Sequence, residues 1–199
     1  MISIIDYKAG NLASVSNALN RLGVSYEVTF DQDRLDQSDA IIFPGVGHAL
    51  AAMQALGERD LIQWLKNTTK PVLGICLGMQ LLFESSEEGD SAGLGVLAGR
   101  LKKFDDTVVK VPHLGWNTFV DIKSHPLLDG ISEESTMYYV HSYYAPVTDA
   151  TLAKCEYQIP FASVVGKDNF YGVQFHPEKS GTNGEIILGN FLNIVRGKQ

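Results

Sequence analysis

Three runs in the first half of the chain, ISII (2–5), AIIF (40–43) and PVLGI (71–75), carry apolar side chains at almost every position. Successive side chains of a strand point to opposite faces, so a strand without a polar face has to be covered on both sides. A parallel sheet between two layers of helix meets that demand, and a sheet with one wet face does not. The segments between the runs agree. After DYKAGN, Leu12, Val15, Leu19 and Leu22 recur at helical spacing, with Asn11 as N-cap and Gly23 as the stop. VSYEVTF (24–30) reads as a strand. Leu50, Met53, Leu56, Leu61, Trp64 and Leu65 make one helix face over 49–66, weakened at Gly57, and MQLLFES reads as a further helix after the third run.

Past about residue 94 the texture changes: STMYYVHSYY, CEYQIPFASVVG and NFYGVQF are short, rich in Val, Tyr and Phe, and broken by Gly and Pro. They read as antiparallel or mixed strands, and GEIILGNFLNIVRG as an amphipathic closing helix. No repeat, linker or low-complexity stretch divides the chain, so one α/β domain is expected over 1–199, with a mostly parallel central sheet flanked by helices and a strand-rich second half. Sixteen Lys and Arg against 23 Asp and Glu give a formal charge of -7 with no basic run, which argues against nucleic acid and anionic membranes as partners. MISIIDYKAG has neither the length nor the flanks of a signal peptide, and no stretch approaches the ~20 apolar residues of a membrane span. Cys76 and Cys155 make no disulfide framework and no metal knuckle. A soluble cytoplasmic protein without metal or cofactor is expected.

One of those cysteines sits in GICLG (74–78), where an apolar strand runs into a helix. A strand-to-helix reversal strains its middle residue and crowds the positions two residues away, which favours glycine there; the G-x-S-x-G elbow of hydrolases follows the same logic. The turn lifts the sulfur from the carboxyl edge of the sheet, where open α/β sheets bind ligands, beside a helix N-terminus that favours thiolate. From the elbow alone, a nucleophile and a buried structural cysteine both stand open. YGVQFHPEKS (171–180) adds His176, Pro177 and Glu178 at a strand end. Residues i and i+2 of an extended segment share a side, and Pro177 biases His176 toward that geometry. Glu178 can then orient the imidazole, and with Cys76 the set reads as nucleophile, base and orienting acid. FPGVGHA (43–49) offers backbone N–H groups at a second strand-to-helix turn. Val46 there and Leu77 after the cysteine are the candidate oxyanion donors, although an ordinary turn has the same look.

Taken together, GICLGMQLL, PGVG and QFHPE resemble the class I (triad) glutamine amidotransferases, and the resemblance extends from residue 6 to 181. It implies a flavodoxin-like α/β fold and release of ammonia from glutamine, with Cys76 as nucleophile, His176 as base then acid, and Glu178 as its orienter. It also implies that Gly47, Gln80, Ser142 and Tyr143 hold L-glutamine. Within the family, VPHLGWN and YYVHSY are similar to glutaminase subunits that pair as heterodimers with a (β/α)8-barrel cyclase in histidine biosynthesis. Such a partner would cover the sheet edge that carries Cys76, and Asn11, Trp116, Tyr138 and Lys179 flank that edge as candidate contacts. Lys8 departs from the pattern, which has glycine at that place in the first loop. Other amidotransferase subunits, a γ-glutamyl hydrolase or cysteine peptidase on the same elbow, and a non-enzymatic regulatory or interaction module are the rival readings; the intact Cys76, His176 and Glu178 argue against the last. His113 and Trp116 are expected to pack in a loop, although the resemblance places them near the partner, His141 to be a strand residue bonded to backbone, and Cys155 a packing residue.

Overall fold

The computed structural model describes residues 1–8 and 11–197; Ala9 and Gly10 of DYKAGN lie outside the described residues. Strands β1 (Ile2–Ile5), β2 (Tyr26–Thr29), β3 (Ala40–Phe43) and β4 (Val72–Ile75) alternate with helices α1 (Leu12–Arg21), α2 (Gln32–Gln37), α3 (Ala49–Glu58), α4 (Leu61–Asn67) and α5 (Leu77–Gln80). Then come β5 (Phe83–Ser86), β6 (Ser91–Ala92), β7 (Leu97–Lys103), β8 (His113–Asn117), β9 (Phe119–Ile122), β10 (Met137–His141), β11 (Tyr143–Tyr144), β12 (Thr151–Tyr157), β13 (Ile159–Lys167) and β14 (Phe170–Val173), before helix α6 (Gly181–Val195).

The main sheet has eight strands in the order β2-β1-β3-β4-β14-β13-β12-β9. Its first four neighbour pairs are parallel, and from β14 outward the pairing is antiparallel. The uniform apolarity of the early strands has the expected cause. Ile2, Ile4, Ala40 and Ile42 join the core under α1 and α6, whereas Ile5, Ile41 and Phe43 join the core formed with Leu35, Leu56, Leu61 and Leu65 of α2 to α4. Among the described residues, no helix is long and apolar enough to cross a membrane.

Two local readings are corrected. The helix face over 49–66 belongs to two helices, because Asp60 takes a left-handed backbone (φ 56°) that a continuous helix does not accommodate. MQLLFES is not a long helix: α5 is a single turn, and Phe83–Ser86 is a strand of a four-stranded sheet with β6, β7 and β11. Leu81, Leu82 and Phe83 are all buried, and a run buried all round carries no period to separate helix from strand. Helix α2, short and capped by Asp31 accepting from the Arg34 N–H at 3.2 Å, had no strong apolar period to show it.

The first loop accounts for the departure at Lys8. Its φ is 67°, in the region that glycine enters without penalty. The Lys8 N–H donates to Asp6 Oδ1 at 3.1 Å, holding this conformation. An L residue there costs about 1–2 kcal/mol, less the extra entropy that glycine loses on folding. Lys8→Gly should therefore stabilise the chain by roughly 0.5–1 kcal/mol in urea unfolding; a loss of stability would contradict this account of the loop.

Candidate active site

Cys76 links β4 to α5 with φ 53° and ψ -109°, a strained backbone for a residue with a side chain. Its flanking glycines are required by contacts. A Cβ on Gly74 would come within 2.7 Å of the Met79 nitrogen in α5, and one on Gly78 would run into the Phe43 carbonyl of β3. The second clash lies across the sheet, so GICLG is matched to its neighbouring strand as well as to its own turn. The thiol is buried (7% exposed) and can donate to the Val140 carbonyl, at 3.8 Å.

β14 lies beside β4 in parallel, with Val173 in register with Ile75. The two strands therefore end side by side, and His176 follows one as Cys76 follows the other. The backbone of His176 is clamped: its N–H donates to the Tyr138 carbonyl at 2.9 Å, and Ser180 Oγ donates to its carbonyl at 2.7 Å. Nδ1 meets Glu178 Oε1 at 2.8 Å, while Nε2 is buried without a hydrogen-bond partner among the described residues. Burial disfavours the imidazolium, but the Cys76 sulfur and the Glu178 carboxylate outweigh it and hold His176 up at about 10.

A cavity of about 380 Å³ opens over the sulfur, lined by Val46, Gly47, Cys76, Leu77, Gln80, Glu88, Pro112, Val140, His141, Ser142, Tyr143 and His176. That volume lies in the range of small-molecule sites (~300–1,000 Å³). The residues of three distant motifs converge here. Gly47 takes φ 100°, whereas Val46 stays out of the left-handed region. Leu77 opens α5, and first-turn N–H groups have no partner within their own helix.

Residues 3–194 match the family model for class-I glutamine amidotransferases. The chain is 47% identical to the imidazole glycerol phosphate synthase subunit HisH of Haemophilus influenzae over 194 residues, covering 98% of each chain. It is also 47% identical to that of Bacteroides fragilis, covering 97% of this chain and 99% of the relative. The chain belongs to the class-I glutamine amidotransferase family, in its HisH branch. The fold agrees at low identity. A crystal structure of a glutamine amidotransferase superposes with a TM-score of 0.76 at 16% identity, covering 98% of both chains. That of a glutamine amidotransferase from Thermotoga maritima gives 0.64 at 14%, covering 99% of this chain and 84% of that one.

In this member of the family, the candidate docking residues fall into one patch and one cap. Trp116 and Tyr138 are paired across β8 and β10 with ring centroids 5.8 Å apart, and the Lys179 ammonium lies 6.0 Å from the Tyr138 ring. Asn11 caps α1, its side chain accepting from the Ser14 N–H at 3.4 Å. Cys155 is buried on β12, and burial pushes its thiol up to about 12, so it packs as expected. His141 donates from Nδ1 to the Tyr143 carbonyl at 2.8 Å, also as expected. His113 lies on a strand, stacked between Tyr139 and Tyr157.

Sequence reasoning missed Glu88, the carboxylate in the cavity wall, which also accepts from the Ala49 N–H at 2.7 Å at the start of α3. It missed Gln174 too, fully buried with its amide 3.8 Å from the Cys76 sulfur. Glu88 sits in a charged, irregular stretch with no motif around it. Gln174 lies in the bend just past β14, which ends at Val173, so no strand alternation marked it.

The histidines should separate by charge. Burial lowers His113 to about 4 and His141 to about 3. Ring nitrogen shifts at pH 7 should show His176 as imidazolium and His113 and His141 as neutral rings protonated on Nδ1. Because the folded-state value of His176 is raised, its stabilising contribution is complete below about pH 6.5 and is lost as pH rises through about 10. A neutral His176 at pH 7 would contradict the charge assignment.

Proposed function

We propose that this chain is a glutaminase subunit that hydrolyses L-glutamine to glutamate and ammonia through a cysteinyl thioester. It delivers the ammonia to a (β/α)8-barrel cyclase subunit making imidazole glycerol phosphate and AICAR in the cytoplasm. The observation that carries the reading is the convergence of Cys76 and His176, the latter backed by Glu178, on a cavity lined by Gly47, Gln80, Ser142 and Tyr143.

The chemistry follows from the geometry. The Cys76 thiolate attacks the γ-carboxamide carbon, and the carbonyl oxygen takes up negative charge. The N–H groups of Leu77 and Val46 receive that charge; one such donor is worth about 3 kcal/mol in the transition state. His176, holding the proton, gives it from Nε2 to the departing nitrogen, so ammonia leaves and a glutamyl thioester remains. The unpartnered Nε2 then takes a proton from water as it attacks the thioester, returning Cys76 and releasing glutamate. Glu178 keeps Nδ1–H as donor throughout, which fixes the ring and its tautomer. Glu88, in the cavity wall, supplies the negative charge that a glutamine α-ammonium needs.

Ammonia protonates in water, so a partner has to receive it at the carboxyl edge of the sheet. The aromatic patch of Trp116 and Tyr138, with Lys179 beside it and Asn11 at the head of α1, is the proposed docking face. Trp116 is 57% exposed and Leu114, on the same outer side of β8, is 56% exposed, an apolar surface suited to burial by a second subunit.

Cys76→Ala should abolish glutamine-dependent synthesis by the complex while leaving synthesis from ammonium salts intact, and Cys155→Ala should leave both unchanged. Steady-state assays with each nitrogen source check this; glutaminase activity surviving in Cys76→Ala would overturn the reading. Hydrogen exchange should slow at 113–118 and 176–181 when the cyclase subunit binds. Unchanged exchange in both segments would exclude the proposed face.

A further inference from the structure

The mechanism leaves two observations unused: a fully buried glutamine in the QFHPE motif, and two buried neutral histidines that touch no reacting atom. They form one chain of hydrogen bonds. Gln174 presents its amide nitrogen to the Cys76 sulfur at 3.8 Å, and its Oε1 accepts from Gln80 Nε2 at 2.9 Å. Gln80 Nε2 also donates to the Tyr143 carbonyl at 2.9 Å. A carbonyl only accepts, so Gln80 has to aim its NH2 group at it, and Gln174 has to answer with its oxygen. The one orientation left to Gln174 points its own NH2 at the sulfur.

The same logic runs outward from Tyr143. Its carbonyl accepts from His141 Nδ1 at 2.8 Å, so the neutral ring has a bare Nε2. That nitrogen meets His113 Nδ1 at 3.0 Å, which must carry the hydrogen. His113 Nε2 is then bare and accepts from Asn117 Nδ2 at 3.3 Å. Asn117 is not free to flip, because Nδ2 also donates to the Glu156 carbonyl at 2.9 Å and Oδ1 accepts from the Thr118 N–H at 2.8 Å. Every donor in the chain is thus set from an end that has one choice. A second proton on either histidine would set two N–H groups against each other, and the low proton affinity of both rings fits this requirement.

We infer that Gln174 donates a hydrogen bond to the Cys76 thiolate, and that Gln80, oriented by the Tyr143 carbonyl that His141 holds from the other side, keeps it in that orientation. A donor to the charged form stabilises it, and the thiolate is the attacking species. The proton released goes to His176 Nε2, whose lack of another partner leaves room for it. Gln174 touches the reacting sulfur and is a catalytic residue; His141 and His113 are positioning residues. The inference rests on the reading of Cys76 as nucleophile.

The test is the pH dependence of Cys76 alkylation by iodoacetamide, followed by mass spectrometry on the full chain bound to its cyclase subunit, in a Cys155→Ala background. Gln174→Met keeps the length and removes the donor. Its profile should move up by about one pH unit, making alkylation about tenfold slower below the inflection. Gln174→Glu keeps the shape and replaces the donor with an acceptor; it should shift the profile further the same way, and it serves if the Met variant does not fold. His141→Phe should shift it in the same direction by less. Wild-type profiles in the folded Gln174 variants would overturn the inference, and a wild-type profile in His141→Phe would overturn the chain. Alkylation involves no glutamine, so these outcomes are separate from loss or retention of glutaminase activity in Cys76→Ala.

Discussion

Val173 on β14 sits in register with Ile75 on β4, and Cys76 and His176 continue from those two strand ends. Parallel strands end on the same side of a sheet, so this pairing puts residues a hundred positions apart over one edge. Were β14 placed one strand further out, the elbow would still form and the imidazole would still meet Glu178, but the sulfur and the base would be separated. The proposed catalytic residues are thus positioned by backbone hydrogen bonds first and by side-chain packing second.

Around that pairing the site trades local strain for reach. Cys76 holds a positive φ, and on either side of it the backbones of α5 and β3 come too close to Gly74 and Gly78 to admit a Cβ. The PGVG turn is pinned from behind in a similar way: the buried Tyr7 hydroxyl donates to the Pro44 carbonyl at 2.8 Å, next to Gly45, whose Cα faces Leu77 and Gly78. Rigid walls on both sides suit a reaction in which donors must already face the developing oxyanion.

The ribbon of β8 and β10 has two faces with different tasks. Outward it shows Leu114 and Trp116, exposed and apolar. Inward it brings His113 against His141, and through its backbone it offers the Val140 carbonyl to the Cys76 thiol and the Tyr138 carbonyl to the His176 N–H. One small element therefore touches Cys76, His176 and the surface proposed for the partner. Period-two alternation along a strand is what lets it do so.

Much of this was legible in the residues themselves. AIIF and PVLGI had to be strands covered on both faces and GICLG had to be a tight reversal, because each statement depends only on neighbours a few positions apart. Asn11 and Gly23 bounded α1 for the same reason. Glu178 meets the His176 ring as expected, but from a 3-10 turn over Pro177–Lys179 and not along the extended segment that the i, i+2 reading assumed. The resemblance of the motifs to a family added Gly47, Gln80, Ser142 and Tyr143 as the residues proposed to hold glutamine, and these line one cavity. What the residues alone left open was the meaning of apolar runs buried on every side, so Phe83–Ser86 read as helix until its pairing with β7 made it a strand. Glu88 and Gln174 were likewise silent, since a carboxylate in an irregular loop or an amide at a strand end takes its role from what faces it. Those facing groups come from other elements, and only the packed sheet, by setting which strands are neighbours, decides them.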